Sequence, residues 1–243
     1  MGKYVIGDIH ACFDEWIRFK DRIESVDKQA SFILIGDIVD RGPKEEEMLR
    51  WAMANVTGNG KYQMIMGNHE YDRIDFERNP YVAAFFACLP IYKDIMVNGR
   101  RFILVHASLP ESVVLPDGTL KMPRNLSGHE RYLMVWSRDL APFTAIKDAT
   151  VIHGHNPTTF EDTFRPEDFT KDKLGRVYNL GNRINIDCGV VFDVMEGHRL
   201  AALRLDDMKV FYNDDPVIGG GNEIQRVSPK DGSAVQSKTK KNS

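Results

Sequence analysis

Short apolar runs closed by polar clusters alternate with helix-period segments through the first third of the chain. Tyr4, Val5 and Ile6 form a strand-like run that ends at Gly7-Asp8. Phe13, Trp16, Ile17 and Ile23 then recur at helical spacing and predict a helix over 13–26. Residues 32–35 and 63–66 read as two further buried strands. Between them a second helix is predicted to start at Pro43, since proline fits a first turn and Glu45-Glu46-Glu47 suit the positive end of a helix. Strand–helix–strand repeats imply a parallel core with helices packed on it, and such sheets gather ligands at the carboxyl ends of their strands.

The second half has a different rhythm. Segments 95–97 and 102–105 flank Asn98-Gly99, a pair that favours a tight hairpin turn. Shorter strands are predicted at 151–152, 177–179, 184–186, 200–205 and 210–212, with turns at Gly181-Asn182 and Glu196-Gly197. They are expected to build a second, more antiparallel sheet on the first. The expected fold is α/β of the α+β type, two mixed sheets packed as a sandwich and flanked by helices. Residues 1–213 are read as one domain and 214–243, rich in Gly, Ser, Lys and Asn, as a disordered polar tail.

A length of 243 residues with 42% hydrophobic content suits one large domain with a sizeable core. A net charge of −3 gives no reason to expect nucleic acid as a partner. Cys12, Cys88 and Cys188 lie far apart and fit free thiols better than a disulfide framework. No apolar stretch approaches the roughly 20 residues that span a bilayer. The strand at Tyr4 leaves no room for a signal peptide. The expectation is a cytoplasmic protein without a membrane partner.

Candidate chemistry concentrates in five strand-end segments: Gly7-Asp8-Ile9-His10, Gly36-Asp37-Ile38-Val39-Asp40-Arg41-Gly42, Gly67-Asn68-His69-Glu70, His106-Ala107-Ser108 and His153-Gly154-His155. Five of the seven histidines fall inside them. Mixed carboxylate, imidazole and amide donors suit two adjacent divalent ions. Asp8, His10 and Asp37 would hold one; Asp37, Asn68, His106 and His155 would hold the second, with Asp37 bridging. Without thiolate, manganese comes first, with iron, zinc or nickel as alternatives. Such a pair would turn a bridging water into a hydroxide nucleophile near neutral pH.

The order GDxH, GDxVDRG, GNHE, HAx and GHxP resembles the phosphoprotein phosphatase family within the calcineurin-like metallophosphoesterases, in the compact form of the bacterial and bacteriophage lambda phosphatase-like members. The resemblance covers roughly residues 3–205. It implies the four-layer metallophosphoesterase fold, a dimetal centre, and direct hydrolysis of phosphate monoesters by a metal-bridging hydroxide. The implied substrates are phosphoserine, phosphothreonine or phosphotyrosine in proteins, or a small phosphoester. Carried over by position, His69 is the general acid, Asp40 the carboxylate that orients it, and Arg41 and Arg138 the phosphate clamps. The alternative is a symmetrical bis(5'-nucleosyl)-tetraphosphatase acting on diadenosine tetraphosphate. Those enzymes tend to carry alanine at the position of Asp40 and GNHD for GNHE, so Asp40 and Glu70 lean toward the monoesterase. Ala11 stands where glycine is usual.

Each motif alone has an ordinary reading. Gly-Asp after a strand is a common turn, Asn68 can cap a helix, and Arg41 can be a surface ion pair. Five motifs in family order outweigh those readings. His153 is read as a partly exposed strand-end residue, His129 and His198 as surface residues, and Cys12 as a buried residue at a helix start. Tyr71, Phe76, Tyr81, Phe85 and Phe86 are read as mostly core. The loop-rich stretch 109–138 is expected to overhang the site.

Overall fold

The computed structural model describes residues 2–138, 146, 148–164, 169–192, 197–218 and 221–227. Its strands are β1 (Lys3–Ile6), β2 (Ser31–Leu34), β3 (Tyr62–Met64), β4 (Tyr92–Val97), β5 (Arg100–Val105), β6 (Ala149–His153), β7 (Tyr178–Leu180), β8 (Arg183–Asn185), β9 (Ala201–Arg204), β10 (Lys209–Tyr212) and β11 (Gln225–Val227). The α-helices are α1 (Phe13–Val26), α2 (Glu45–Asn55), α3 (Asn68–Arg73), α4 (Pro80–Ala87) and α5 (Gly128–Trp136). No helix among the described residues is long and apolar enough to cross a membrane.

Two mixed sheets face each other, as expected. The first runs β10-β9-β1-β2-β3 and the second β11-β7-β8-β6-β5-β4. Strands β1, β2 and β3 pair in parallel. The assignment of the late strands differs from expectation: β9 and β10 join the first sheet, antiparallel to β1. The second sheet is less antiparallel than anticipated, because β5–β6, β6–β8 and β11–β7 are parallel pairs. Apolar runs too short to show a period cannot reveal their partners.

Alternation assigns the side chains to layers. Val5, Ile33, Leu104, Ile152, Ile184 and Leu203 point into the space between the sheets. Their neighbours Tyr4, Ile6, Phe32, Leu34, Ile103 and Val105 point outward under the helices. There Trp16 of α1 meets Phe32 edge-on at 5.8 Å and Trp51 of α2 at 5.2 Å. Deleting so large a buried ring costs about 3–5 kcal/mol.

Ends of elements follow local chemistry. Asn98 and Gly99 both have positive φ, the geometry of a two-residue hairpin turn between β4 and β5. Helix α2 starts at Glu45 rather than Pro43, and its three glutamates occupy the first turn. Helix α5 lies within the stretch expected to be loop-rich; Ser127 and Glu130 form a reciprocal cap at its start.

Phe86 is core, but Phe76 and Tyr81 are exposed, so that aromatic stretch is only partly buried. The tail expected from residue 214 contains an isolated bridge from Asn222 to Val210 and then β11. Ile218 is buried there, giving this segment an apolar anchor. Residues 219–220 and 228–243 of that tail, and Glu196 of the expected turn, lie outside the described residues.

Candidate metal centre

Strand β1 hands the chain to Asp8 and His10, β2 to Asp37, β3 to Asn68, β5 to His106, and β6 to His155. All six are buried. The loops that turn them inward bend sharply: His10, Ala11, Asp37, Asp40, Arg41 and His155 have φ between 45° and 67°. Non-glycine residues adopt that region rarely, and it clusters at functional sites. Ala11 therefore holds a backbone conformation that suits glycine.

Two groups of donors emerge, each with its ligand atoms within 4.8 Å of one another: His10, Asp37 and His69, and Asp37, His106 and His155. Asp37 is common to both. Its Oδ2 lies 3.3 Å from His106 Nε2, 3.6 Å from His10 Nε2 and 3.9 Å from His69 Nε2. Asn68 Oδ1 lies 3.0 Å from His106 Nε2 and 2.8 Å from His155 Nδ1. These spacings match neighbouring ligands on one cation with bonds of about 2.1 Å. Asp8 stands outside both groups, and His69 takes its place beside His10 and Asp37. Asp8 Oδ2 accepts the His155 N–H at 3.0 Å, while its buried Oδ1 has no hydrogen-bond partner among the described residues.

The electrostatics fit a cation. Burial raises Asp8 well above the usual carboxylate range, and the charges of Asp187 and Asp37 add to it. Burial also opposes ionisation of Asp37, but the facing His106 overrides it and holds the carboxyl far below its usual range. Burial would lower His106, yet the charges of Asp37 and Asp8 push it up to about 10. Both its ring nitrogens face oxygens, Nδ1 donating to Ile35 O at 2.9 Å. Burial, then His106 and Arg138, lower His155 to about 2, so its ring is neutral. A neutral ring carries a single N–H, yet its Nε2 faces Trp136 O at 3.2 Å and its Nδ1 faces Asn68 Oδ1 at 2.8 Å. Whichever nitrogen is protonated, the other turns a lone pair toward an oxygen; with the proton on Nε2, Nδ1 and Asn68 Oδ1 together suit a cation. Burial likewise lowers His10 to about 4. Its Nδ1–H donates to Val39 O at 3.0 Å, and Arg41 donates to its Nε2 at 2.7 Å. A guanidinium thus already occupies one lone pair that a metal would take. The donor set fits divalent metal.

The remaining candidates sit around this centre. His69 Nδ1–H donates to Asp40 Oδ2 at 2.6 Å, and its Nε2 is buried with no hydrogen-bond partner among the described residues. Asp40 also accepts from Arg73 at 3.2 Å. Arg138 donates to His155 O at 3.1 Å and to Asn156 Oδ1 at 2.9 Å. The end of the 109–138 stretch, at Trp136 and Arg138, therefore touches the site.

His153 is fully buried, against expectation. It receives the Arg183 Nε–H at 2.8 Å, and that pairing is what permits its burial. Cys12 is buried at the start of α1, and His129 and His198 are exposed.

Two site residues escape a motif reading. Asp187 is buried after β8; burial pushes it up to about 6, against the Gly189 N–H that its Oδ1 accepts at 3.0 Å. An Asp-x-Gly turn closing a strand was its only signal. Glu70 was read only as a family marker. Its carboxylate accepts the N–H groups of Asp37, Ile38 and Gly67 at 2.8–2.9 Å.

The chain is similar to known proteins along most of its length. The calcineurin-like phosphoesterase pattern matches residues 3–190. A symmetrical bis(5'-nucleosyl)-tetraphosphatase of Aliivibrio fischeri is 24% identical over 259 aligned positions, covering 90% of this chain and 92% of that protein. One from Buchnera aphidicola is 39% identical over 195 positions, covering 77% of this chain and 64% of its own length. A solved structure provisionally assigned as a diadenosine tetraphosphatase superposes with a TM-score of 0.58 at 15% identity, covering 87% of this chain and 92% of that one, a likeness of fold. The pattern match, spanning every residue of the two donor groups, makes this chain a member of the calcineurin-like phosphoesterase family.

Proposed function

We propose that this chain is a metal-dependent hydrolase that splits bis(5'-nucleosyl) tetraphosphates symmetrically. The observation that carries the hydrolytic part is Asp37, one carboxylate shared by two groups of imidazole donors. The substrate part is supported by the tetraphosphatase relatives. His10 and Asp37, with Asp8 behind them, would hold one divalent ion. Asp37, Asn68, His106 and His155 would hold a second, manganese being the ion this donor set suits first. Such a pair supplies an acidified water and neutralises charge on the phosphoryl oxygens.

The chain's own residues add the rest. Arg41 and Arg138 bring guanidinium N–H groups to the edge of the centre, where they would orient phosphate oxygens. Asp40 fixes the Nδ1–H of His69, so the proton that His69 can deliver is the one on Nε2. The central phosphoanhydride breaks, water oxygen joins one phosphorus, and the bridging oxygen departs with the other phosphate. Both products are nucleoside diphosphates.

The Asp40–His69 pair favours a second reading, hydrolysis of phosphate monoesters such as phosphoserine. A departing alkoxide is strongly basic and needs an acid; a departing nucleoside diphosphate does not. Manganese-loaded protein incubated with diadenosine tetraphosphate should yield two ADP per substrate and no AMP. Phosphate release from a phosphoserine peptide without any ADP from the dinucleotide would replace the first reading by the second.

A further inference from the structure

A cavity of about 720 Å³ opens beside the metal centre, where α1, the loop after β2 and the loops around residues 190 and 213 converge. Arg41 belongs to both places. One of its N–H groups lies on His10 Nε2, its guanidinium carbon lies 5.9 Å above the Phe192 ring, and its side chain forms part of the cavity wall. Anything held by phosphate at the metals and continuing past Arg41 enters this space.

We infer that the cavity seats a nucleoside of the substrate. This rests on the dinucleotide reading for the identity of the occupant. Size argues against a smaller group, since the volume lies in the range of pockets for whole small molecules, about 300–1,000 Å³. A single phosphate or a serine side chain would leave most of it to water. Composition points the same way. Pro43 and Val191 give apolar surface for the faces of a base, and the rim is polar. At that rim Arg18 is held by Glu15 at 2.8 Å. Asn213 uses its Oδ1 to accept the Leu200 N–H at 2.9 Å, while its Nδ2 has no partner among the described residues. Among the described residues that amide is left to donate to a ring nitrogen or a ribose oxygen. A flat group with apolar faces and polar edges, tethered through phosphates to Arg41, is a nucleoside.

The test compares manganese-loaded wild type with Val191→Trp, whose indole would fill the cavity from outside both donor groups. The ratio of kcat/KM for diadenosine tetraphosphate to that for nitrophenyl phosphate should fall at least about tenfold, through KM. Adenosine, which has no phosphate to seek the metals, is the second probe. Saturation-transfer NMR should show it bound to wild type and lost from Val191→Trp. If that variant does not fold, Val191→Met is held to the same adenosine criterion. No adenosine signal in wild type, or equal signals in wild type and variant, overturns the inference. Wild type that cleaves nitrophenyl phosphate but not the dinucleotide removes the substrate reading instead, and the adenosine result still decides whether the cavity takes a nucleoside.

Discussion

Glu70 and Asp37, 33 residues apart, are joined by a buried hydrogen bond of 2.8 Å from the Asp37 N–H to Glu70 Oε2. The same carboxylate takes the N–H groups of Ile38 and Gly67 at 2.9 Å, so it ties the loop of Asp37 to the loop of Asn68. Glu70→Gln keeps the shape but turns an NH2 toward at least one of those donors. Leaving such a buried group unpaired costs about 1–3 kcal/mol. We expect that loss in denaturant unfolding, together with a metal affinity lower by about 10–100-fold, the usual effect of removing a residue that orients ligands. Wild-type metal affinity in Glu70→Gln would show that the two loops hold their positions without it.

His69 offers a kinetic test. Its loss in His69→Ala should slow hydrolysis of alkyl phosphates by about 10²–10⁴-fold, the usual contribution of a positioned acid. Nitrophenyl phosphate and the dinucleotide, whose leaving groups are weak bases, should slow far less, and the metals should stay bound. Asp40→Ala should act in the same direction with a smaller effect, because the imidazole remains and only the 2.6 Å bond that fixes its Nδ1–H is lost. An equal loss for every leaving group would remove His69 from the acid role.

The placement of the candidate donors at strand ends was legible because each closes an apolar run, a feature of local sequence. Asp8, His10, Asp37, Asn68, His106 and His155 all follow a strand directly or within a few residues. What could not be read depends on distant partners. His153 is buried because Arg183, 30 residues later, donates to it. Glu70 acts on a loop 33 residues earlier, and β9 pairs with β1 from the far end of the chain. The grouping of His69 with His10 and Asp37, without Asp8, joins segments far apart in the chain, and no periodicity encodes it.

His106 predicts two opposite pH effects. Its folded-state value of about 10 lies above the ordinary 6.5. The stabilisation this proton brings to metal-free protein is complete below pH 6.5 and is lost as pH rises through 10. The Tm of metal-free protein should therefore fall between pH 7 and pH 10. Metal must displace that proton from Nε2, so its affinity should rise over the same range by up to about tenfold per pH unit. Calorimetric titrations in buffers of different ionisation enthalpy at pH 7 should count close to one proton released at this site. Release of none would place the metal elsewhere.

Gly154 sets the sharpest steric test. A methyl group there would lie 2.0 Å from Asp8 Oδ1 and 3.0 Å from its carboxyl carbon. Asp8 cannot swing aside freely, because its Oδ2 holds the His155 N–H at 3.0 Å. Relief requires either breaking that bond or moving the loop that carries His155. Both disturb a donor, while the overpacking itself costs about 1–3 kcal/mol. Gly154→Ala should therefore fold, melt at a lower temperature, and bind manganese about 100-fold more weakly, the upper end of what lost ligand orientation produces. Gly128→Ala is the control, since a methyl group at the start of α5 meets nothing within 4 Å. If calorimetry finds the two variants equal in manganese affinity, Asp8 has no part in holding the ion.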